Sequence, residues 1–558
     1  MLATSAMNNR TISGVHALAE GAISAGVSLV TGYPGAPATG VVDKILSLSQ
    51  PDAVRIEWTS NEKVALEVAF GASLGGQRAL FCAKSVGLNI ALDPLMVINL
   101  SGCNAGLVLL VGDDPGSWGS QNEQDSRPLG IAAEIPVLEP TTVPDAGAAI
   151  RSAFELSEQI RLPVMVRFTS ALATGRAQVE PPAQGSAVTP PDYIREFMKW
   201  VVLPVNAVQL HGRLHDRLAR VQAGFETSQL NGSLGSGRRR IVAAGYAFQK
   251  LMDVVSELPA GLAVFRLGTI FPLPVSRSLD QTSSDSGLLP FVVGSDSVLV
   301  LEEGSPLVER ALCAALQAAK ISSTVCGQDT GHVPQTGELF GPEIAAAVNC
   351  WWPEAALTAS GAVGRPRPSR QPFCEGCSYI PAFDALLSVM QADRGRDAYI
   401  VVGEPGCMVR SQLPPYELMD VKLSLGASIG MATGLALTNR RERVIAITGD
   451  SAFLHTGVNG LMDAARIGTQ LTVLILDNLT TALSGGQPHP ASPVDARGCQ
   501  RRPLELAQIA RAAGAAEVQV VDLDRGEQME EPIRQALRSQ GVSVVIARGR
   551  CPRWSPGS

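Results

Sequence analysis

Short apolar runs alternate with longer amphipathic stretches along most of the chain, and this alternation predicts strands and helices in turn. The apolar runs predict strands at Val27–Thr31, Arg78–Cys82, Gly106–Gly112, Leu162–Phe168, Arg240–Ala244, Leu262–Phe265, Ser297–Leu301, Tyr399–Val402, Arg443–Thr448, Leu471–Leu476 and Ser543–Ala547. Stretches with helical spacing predict helices at Val15–Ala25, Asn61–Ser73, Ala146–Gln159, Glu343–Val348 and Leu423–Leu437. Alternating strands and helices are typical of an α/β fold with parallel sheets.

Segments rich in proline, glycine and serine divide this pattern into blocks. The segments PPAQGSAVTPP and SQLNGSLGSGRRR predict linkers, and Tyr193–Gln222 between them predicts helical pieces. A third such segment, SGAVGRPRPSRQP, covers residues 360–372. We therefore expect an α/β block at 1–178, a linker or extension at 179–238, a smaller block at 239–355 and a last α/β block at 365–558.

Composition narrows the class of protein. A chain of 558 residues predicts roughly three to five domains. Hydrophobic residues make up 46% and charged residues 17%, which excludes the disordered and fibrous classes. The net charge of -7 disfavours binding to nucleic acid or to anionic membranes, because both require a basic surface. No signal peptide or spanning apolar run is evident, so we expect a soluble cytoplasmic protein, whose ten cysteines are too dilute for a disulfide scaffold.

Polar residues follow two neighbouring predicted strands at the points where those strands end. Gly449, Asp450 and Ser451 follow RVIAIT, and Asn478 follows LTVLIL. The carboxyl ends of parallel strands meet at one edge of a sheet, where ligands bind. A carboxylate, an amide oxygen and the Thr480 carbonyl would, with phosphate oxygens, suit a hard divalent cation. The glycine would admit a diphosphate close to the backbone. The alternative is an ordinary turn with a helix cap.

Glu62 begins a predicted helix that carries Ala65, Ala69 and Gly71 on one face. Small residues on one face predict close packing against a neighbouring helix, which would place Glu62 in the interface. The alternative is a surface glutamate in a first helical turn, where the helix dipole favours a negative charge.

Four cysteines have spacing suited to a metal centre. Cys374 and Cys377 form CEGC, Cys407 lies in GEPGC, and Cys551 follows the last predicted strand. Two thiols two residues apart can bind one centre, and two distant thiols can complete it as zinc or as an iron–sulfur cluster. The alternative is a set of unrelated buried thiols. The other six cysteines are predicted to serve packing: 82, 103, 313, 326, 350 and 499.

Together these motifs resemble one family. They are TGYPGAP (31–37), NEKVALEVAFGASLGG (61–76), VGLNIALDPLM (86–96), SQNEQDSR (120–127), FRLGTIFPLP (265–274), CEGC, GEPGC, GASIGMATGLAL (426–437), GDSAFLHTG (449–457), LDNLTTALSGGQPHP (476–490) and VVIARGRC. In this order they resemble the large subunit of the indolepyruvate:ferredoxin oxidoreductases, which are thiamine-diphosphate-dependent 2-oxoacid:ferredoxin oxidoreductases. The resemblance runs through almost the whole chain and weakens in 179–238.

The resemblance implies a fold and a cofactor. The first block would be the pyrimidine-binding module, the last block the diphosphate-binding module, and the block between them a transketolase C-terminal-like domain. Glu62 would hydrogen-bond N1′ of the aminopyrimidine. The Mg²⁺ ligands would be Asp450, Asn478 and the Thr480 carbonyl. Gly35, Gly449 and Ser451 would complete the cofactor site.

The resemblance also implies a reaction. A 2-oxo acid, with an arylpyruvate such as indolepyruvate favoured, would be oxidatively decarboxylated to an acyl-CoA. The four thiols of Cys374, Cys377, Cys407 and Cys551 would hold a [4Fe–4S] cluster that takes the electrons, so coenzyme A would be a co-substrate.

Two departures bear on the substrate. Ala36 stands where the family usually has threonine, and Ser85 stands where many relatives have histidine. The candidates that remain for the substrate pocket are Ser85, Gln121, Arg127, His455 and His489. A structural role for the two histidines is the alternative.

The chain ends seven residues after Cys551, where the family usually continues into a domain with two further clusters. We therefore expect a separate ferredoxin or flavoprotein acceptor, a small partner subunit and a dimer of heterodimers. Two alternatives remain: a non-oxidative thiamine-dependent decarboxylase or lyase, and a non-catalytic assembly subunit.

Overall fold

The computed structural model describes residues 10–181, 193, 195–255, 257–275, 287–295, 297–359, 371–438 and 441–554. The chain divides into two compact units. The first comprises 1–56 and 62–367, and the second comprises 57–61 and 368–558. The boundary at 367 falls in the proline-rich segment at 360–372, which lies largely outside the described residues, as does PPAQGSAVTPP. In the described part of the chain, every helix is too short or too polar to cross a membrane.

The strands and helices up to residue 367 are numbered in chain order. The strands are β1 Arg10–Ser13, β2 Leu29–Gly32, β3 Arg55–Trp58, β4 Ala79–Lys84, β5 Leu107–Asp113, β6 Val137–Leu138, β7 Val164–Thr169, β8 Arg176–Val179, β9 Gly232–Gly235, β10 Arg239–Ala244, β11 Leu262–Leu267, β12 Thr269–Phe271, β13 Ser297–Leu301 and β14 Thr324–Cys326. The helices are α1 Gly14–Ser24, α2 Ala38–Leu48, α3 Glu62–Leu74, α4 Ser85–Ser101, α5 Arg127–Ala132, α6 Val143–Ile160, α7 Ser170–Thr174, α8 Phe197–Trp200, α9 Pro204–Phe225, α10 Ala247–Val255, α11 Leu288–Val292, α12 Leu307–Ala319 and α13 Gly341–Trp351.

A seven-stranded sheet in the order β12-β6-β7-β5-β4-β2-β3 forms the centre of the first block. Four neighbouring pairs in this sheet are parallel: β2 with β4, β4 with β5, β5 with β7, and β7 with β6. Strands β4, β5 and β7 are buried almost throughout, as expected where helices cover both faces of a parallel sheet. The chain order reverses between β2 and β4, and an open α/β sheet binds ligands outside such a switch point.

The middle block builds a five-stranded sheet in the order β14-β13-β10-β11-β9. Its edge strand β9 pairs antiparallel with β11 and lies inside SQLNGSLGSGRRR, so the prediction of a linker there is wrong. Leu234 and its neighbours use backbone hydrogen bonds that a composition rich in glycine and serine does not reveal. The next strand of the block, β12, pairs antiparallel with β6 and so completes the seven-stranded sheet of the first block.

Buried ion pairs link these two sheets. The Arg127 guanidinium is fully buried; Nη1 donates to Glu302 Oε2 at 2.9 Å and Nη2 to Asp125 Oδ2 at 3.0 Å. Burial opposes ionisation of Asp125, but Arg127 and Arg167 outweigh it and lower the pKa of its carboxyl to about 2. Arg167 pairs in turn with Asp113 and Glu139. The guanidinium of Arg127 is thus enclosed in an ion-pair network that holds the middle block to the first.

Replacing Arg127 by leucine is expected to destabilise the first unit by about 3–5 kcal/mol, because Asp125 and Glu302 would remain buried without their cation. The urea midpoint of unfolding measures this loss. Arg310→Leu is the matched control, since Arg310 pairs with Asp329 at 2.6 Å but its side chain is 64% exposed, and we expect little change there. Equal effects of the two variants would contradict the role given to Arg127.

The second unit is a six-stranded parallel sheet in the order β16-β15-β17-β18-β20-β19. Its strands are β15 Tyr399–Gly403, β16 Val421–Lys422, β17 Arg443–Gly449, β18 Leu471–Asp477, β19 Glu517–Asp522 and β20 Val542–Arg548. Its helices are α14 Tyr379–Asp393, α15 Ser428–Ala436, α16 Asp450–Ala452, α17 Val458–Ile467, α18 Leu506–Ala512 and α19 Glu530–Arg538. Two apolar layers cover the faces of the sheet, one containing Phe383 and Ile447 and the other containing Ala446 and Phe453.

The structure confirms each strand that the apolar runs predict, with ends that differ by up to two residues. The predicted helix at Leu423–Leu437 is shorter at its start, because the chain turns through Gly426 with a φ of +74° before α15 begins. The parallel sheets of the two units, with helices between successive strands, confirm the predicted α/β class.

Candidate functional site

Four parallel strands of the second unit end at one edge of its sheet, and each is followed by a candidate functional residue. Glu404 follows β15, Asp450 follows β17, Asn478 follows β18, and Cys551 lies shortly after β20. Because these strands are parallel, their carboxyl ends share an edge. The chain order reverses between β15 and β17, which is where an open α/β sheet binds its ligand. The prediction that Asp450 and Asn478 share one edge is confirmed.

The Asp450 carboxylate is buried and receives a ring of N–H donors. Oδ1 accepts from the backbone N–H of Ser451 at 2.7 Å. Oδ2 accepts from the backbone N–H groups of Asn478 at 3.0 Å and Leu479 at 2.8 Å. This ring fixes the carboxylate in one orientation and stabilises its charge.

His489 also contacts Asp450. Its Nδ1 accepts from the backbone N–H of Ala491 at 3.2 Å, which leaves the ring proton on Nε2, and Nε2 lies 3.1 Å from Asp450 Oδ2. His489 therefore orients the carboxylate. Both side chains are nearly inaccessible, so this contact favours a supporting role for His489 over the predicted place in the substrate pocket.

Asn478 and Thr480 are held by the turn after β18. Asn478 Oδ1 accepts from the Thr480 N–H at 3.1 Å, and its Nδ2 donates to the Tyr379 hydroxyl at 2.8 Å. Leu479 between them has a φ of 65°, a conformation rare in residues with a side chain. The turn thus holds the Asn478 amide at both of its ends, and a carboxylate with an amide oxygen is a ligand pair that Mg²⁺ accepts.

Gly449 leaves open space where a phosphate would lie. Its backbone is extended, and a Cβ there would meet only the Met408 methyl at 3.6 Å. Neither conformation nor packing within the chain therefore demands a glycine. A helical stretch begins at Asp450 on this edge, and the N-terminal end of a helix suits an anion. These features fit a magnesium diphosphate.

A π-helical turn at Phe453–Gly457 interrupts this helical stretch and contains His455. Such turns occur frequently at functional sites. His455 is buried, and its Nδ1 lies 3.4 Å from the Thr456 hydroxyl. The structure therefore places His455 just after the candidate diphosphate site.

Glu404 is a buried acid that the sequence reasoning missed. Its Oε1 accepts from the Thr448 hydroxyl at 2.5 Å. Burial raises the pKa of the Glu404 carboxyl to about 7, against hydrogen bonds from Thr448 and Ser428 that lower it. Glu404 directly follows β15, just as Asp450 directly follows β17, and this position is the signal that could have identified it.

Glu404 predicts a pH dependence of stability. Its pKa in the folded chain lies above the ordinary value of 4.5, so the folded state holds the proton more tightly and stability falls as the pH rises from about 4.5 through 7. The loss amounts to about 3 kcal/mol. Glu404→Gln should remove this loss, as measured by unfolding at pH 5 and pH 8 without cofactor. The exposed Glu527→Gln control should keep the wild-type dependence, and an unchanged dependence in Glu404→Gln would contradict the prediction.

Glu62 begins α3 and is 6% exposed, so it is a buried acid and not a surface glutamate. Helix α4 passes directly beside it, because a Cβ on Gly87 would lie 2.4 Å from Glu62 Oε1. Ala65 and Ala69 are fully buried, as the small-residue face predicts. Gly71 is an exception, since nothing in the chain lies within 4 Å of the position its Cβ would take.

Gly35 and Ser85 flank the switch point of the seven-stranded sheet. A Cβ on Gly35 would lie 2.9 Å from Lys84 Cβ, so close packing against Lys84 requires glycine there. Ser85 begins α4 and is buried, and its carbonyl accepts from Gln124. Gln121 is exposed in the loop after β5. Arg127, by contrast, is enclosed in ion pairs, and this geometry favours a structural role.

The four predicted cluster ligands lie close to one another. Burial raises the pKa of the Cys407 thiol to about 12, and the neighbouring thiols of Cys377, Cys551 and Cys374 add to this effect. Four thiols in mutual reach suit either tetrahedral sulfur ligation of one zinc ion or a cluster in which each thiolate binds a different iron.

The prediction that the other six cysteines serve packing is correct for half of them. Cys82, Cys103 and Cys326 are buried, whereas Cys313, Cys350 and Cys499 are exposed. Cys313 and Cys350 lie on α12 and α13, at positions that face away from the sheet.

Two family models match the chain. One is described as "Pyruvate flavodoxin/ferredoxin oxidoreductase, thiamine diP-bdg" and matches residues 20–205. The other is described as "Thiamine pyrophosphate enzyme, C-terminal TPP binding domain" and matches residues 405–547. The second match spans Asp450 and Asn478 and begins directly after Glu404.

Three relatives, each named "Indolepyruvate oxidoreductase subunit IorA", match nearly the whole chain. The protein of Archaeoglobus fulgidus is 34% identical over 565 residues, which is 97% of this chain and 86% of that protein. The protein of Methanothermobacter thermautotrophicus is 32% identical, with 96% and 86% covered. The protein of Pyrococcus abyssi is 31% identical, with 98% and 86% covered.

Proposed function

The chain belongs to the indolepyruvate oxidoreductase subunit IorA family, and on this premise we propose that it is the thiamine-diphosphate subunit of a 2-oxoacid oxidoreductase acting on an arylpyruvate such as indolepyruvate. The observation that carries the proposal is the edge of the second sheet, where Asp450, Asn478 and an open Gly449 lie in one thiamine-binding match.

We assign the cofactor contacts as follows. Asp450, Asn478 and the Thr480 carbonyl would hold Mg²⁺, and Gly449 and Ser451 would face the diphosphate. Gly35 and Glu62 would contact the aminopyrimidine. The magnesium ion matters because a chain with a net charge of -7 needs a cation to hold a diphosphate.

When bound, thiamine diphosphate supplies the electron sink that permits loss of CO₂ from a 2-oxo acid. The chain's own part is to place groups around it. The buried Glu62 carboxyl would donate a hydrogen bond to N1′ and exchange a proton with it. His489 and the backbone amides would hold the Asp450 carboxylate in the orientation in which it would bind Mg²⁺.

The thiols of Cys374, Cys377, Cys407 and Cys551 would hold a [4Fe–4S] cluster as first electron acceptor. Coenzyme A would take the acyl group, and a ferredoxin or a flavoprotein would take the electrons. A small partner subunit would complete a cytoplasmic dimer of heterodimers. Ser85, Gln121 and His455 remain the candidates for contact with the substrate.

The test is anaerobic purification of the chain with its partner subunit, followed by assay of iron, sulfide and thiamine diphosphate. Arylpyruvate should then reduce a viologen dye in a manner that depends on coenzyme A. Cys374→Ser should lose iron and dye reduction, whereas the exposed Cys499→Ser control should keep both. A protein without iron, or a Cys374→Ser variant with full iron content, would contradict the cluster assignment.

Ala36 favours one second candidate, a non-oxidative decarboxylase. The family usually has threonine at this position, and a missing hydroxyl would change how the substrate carboxylate is held. Release of an aldehyde without dye reduction would support this alternative. Absence of thiamine diphosphate from a folded chain would support an assembly subunit.

A further inference from the structure

Two histidines and a glutamate meet on the first unit, away from the groups discussed above. They are His211 and His215 on α9 and Glu134 in the turn after α5. The Nε2 atom of His211 lies 2.7 Å from Glu134 Oε2, and that of His215 lies 2.8 Å from Oε1. Among the residues that the structure describes, one ligand atom from each of these three side chains lies within 4.8 Å of the other two.

Helix α9 presents the two imidazoles side by side. Residues four apart lie on one face of a helix, and the ring centroids of His211 and His215 are 4.4 Å apart. The apolar face of α9, with Leu210, Leu214 and Leu218, is buried and fixes the rotation of the helix. The histidines therefore stand at the border between the packed face and solvent, with 49% and 57% of their side chains exposed.

Glu134 occupies a position that glycine would fill more easily. It directly follows the C-cap of α5 and has a φ of 53°, in the left-handed region. Its N–H donates to the Ile131 carbonyl at 3.0 Å, as in a helix end that commonly uses glycine. A glutamate stands at this position with a φ in the left-handed region, and its side chain contacts both histidines.

We propose that Glu134, His211 and His215 form a site for a first-row transition metal ion of the zinc class, which fastens α9 to the turn before β6. Two imidazoles with one carboxylate are a recurrent three-ligand set for zinc, with water in the fourth position. The nitrogen ligands exclude Mg²⁺ and Ca²⁺, which prefer oxygen. Bonds of about 2.0 Å require ligand atoms about 3.3 Å apart, so the present contacts need to open only slightly.

The site would act on stability, because α9 belongs to the extension at 179–238 and packs on α4 of the first block. An ion bound to the folded chain alone stabilises it by mass action. The ion would thus lock the extension onto the block that carries Glu62.

The test uses the full chain without a polyhistidine tag, titrated with Zn²⁺ by calorimetry and monitored by thermal unfolding. We expect the wild type to bind one equivalent of Zn²⁺ that the double variant His211→Ala/His215→Ala does not bind. In either single variant, the affinity of this site for Zn²⁺ should fall about tenfold or more. Zn²⁺ should raise the unfolding midpoint of the wild type and not that of the double variant. His332→Ala is the control, because His332 lies in the same unit and its Nδ1 contacts the Thr330 hydroxyl at 3.0 Å.

Glu134→Gly separates metal binding from folding. Glycine suits the φ of this turn, so the variant should be at least as stable as the wild type without metal, yet it should lose the zinc equivalent. Cys374→Ser/Cys377→Ser should keep that equivalent, which distinguishes this site from the thiols. An unchanged number of zinc equivalents in both Glu134→Gly and the double histidine variant, or no binding by the wild type, would overturn the proposal.

Discussion

A chain with glutamine in place of Glu62 is expected to turn over its 2-oxo acid about 10²–10⁴-fold more slowly, the range that general acid–base catalysis contributes. The reason is that an amide of nearly the same shape cannot exchange a proton with N1′. Glu62 is buried at the start of α3 with Gly87 of α4 against it, so the amide would keep the same position. Steady-state dye reduction measures the loss, and bound thiamine diphosphate should remain.

The matched control is Glu67→Gln on the same helix. The Glu67 side chain is 46% exposed and pairs with Lys63 at 3.1 Å, so its removal should leave turnover unchanged. Full turnover in Glu62→Gln would contradict the proposed role of Glu62 in activating the cofactor, whether or not the protein holds its cluster. Loss of thiamine diphosphate together with turnover would show that Glu62 serves binding.

The second large effect is expected at the diphosphate. Asp450→Asn should weaken binding of Mg²⁺ and thiamine diphosphate by about a hundredfold or more. Removing a residue that only hydrogen-bonds to a metal ligand already lowers metal affinity by up to about a hundredfold, so changing the ligand itself should lower it at least as much. An amide is a weaker ligand, and its NH₂ group would face either the N–H of Ser451 or the N–H groups of Asn478 and Leu479. Calorimetry with thiamine diphosphate and Mg²⁺ measures the affinity directly.

Asp495→Asn is the control for this experiment. Asp495 lies in the same unit and pairs with Arg501 at 2.6 Å on the surface, so the affinity should not change. An Asp450→Asn chain that binds the magnesium diphosphate as tightly as the wild type would contradict the ligand assignment, provided that circular dichroism shows an intact fold.

The sequence predicts the strands well because a buried parallel strand needs an unbroken apolar run. RVIAIT and LTVLIL end one residue before β17 and β18 end, and this agreement places Asp450 and Asn478 at the carboxyl ends of these strands. Helix α4 is not among the predicted helices, because Pro94 lies inside it and its polar residues follow no single face.

Contacts between distant parts of the chain could not be predicted from the sequence. Nothing local in the sequence reveals that the ring of His489 reaches Asp450, 39 positions away, so the sequence leaves a substrate contact and a structural role as alternatives for this histidine. Arg127 lies in a motif with polar neighbours, and only the folded chain brings Glu302 to it. The strand β9 consists of glycine, serine and leucine, and it is stabilised by pairing with β11 more than by its own composition.

The pairing of β12 with β6 means that the first sheet borrows its last strand from a segment more than a hundred residues further along the chain. A shortened gene product ending near residue 178 would lack that strand and present the edge of β6 to solvent. Uncovered edges of this kind recruit other chains, so such a product should precipitate or self-associate, whereas one that continues through β14 should remain dispersed. Recombination between relatives should likewise succeed at the break near residue 367 and fail near residue 178.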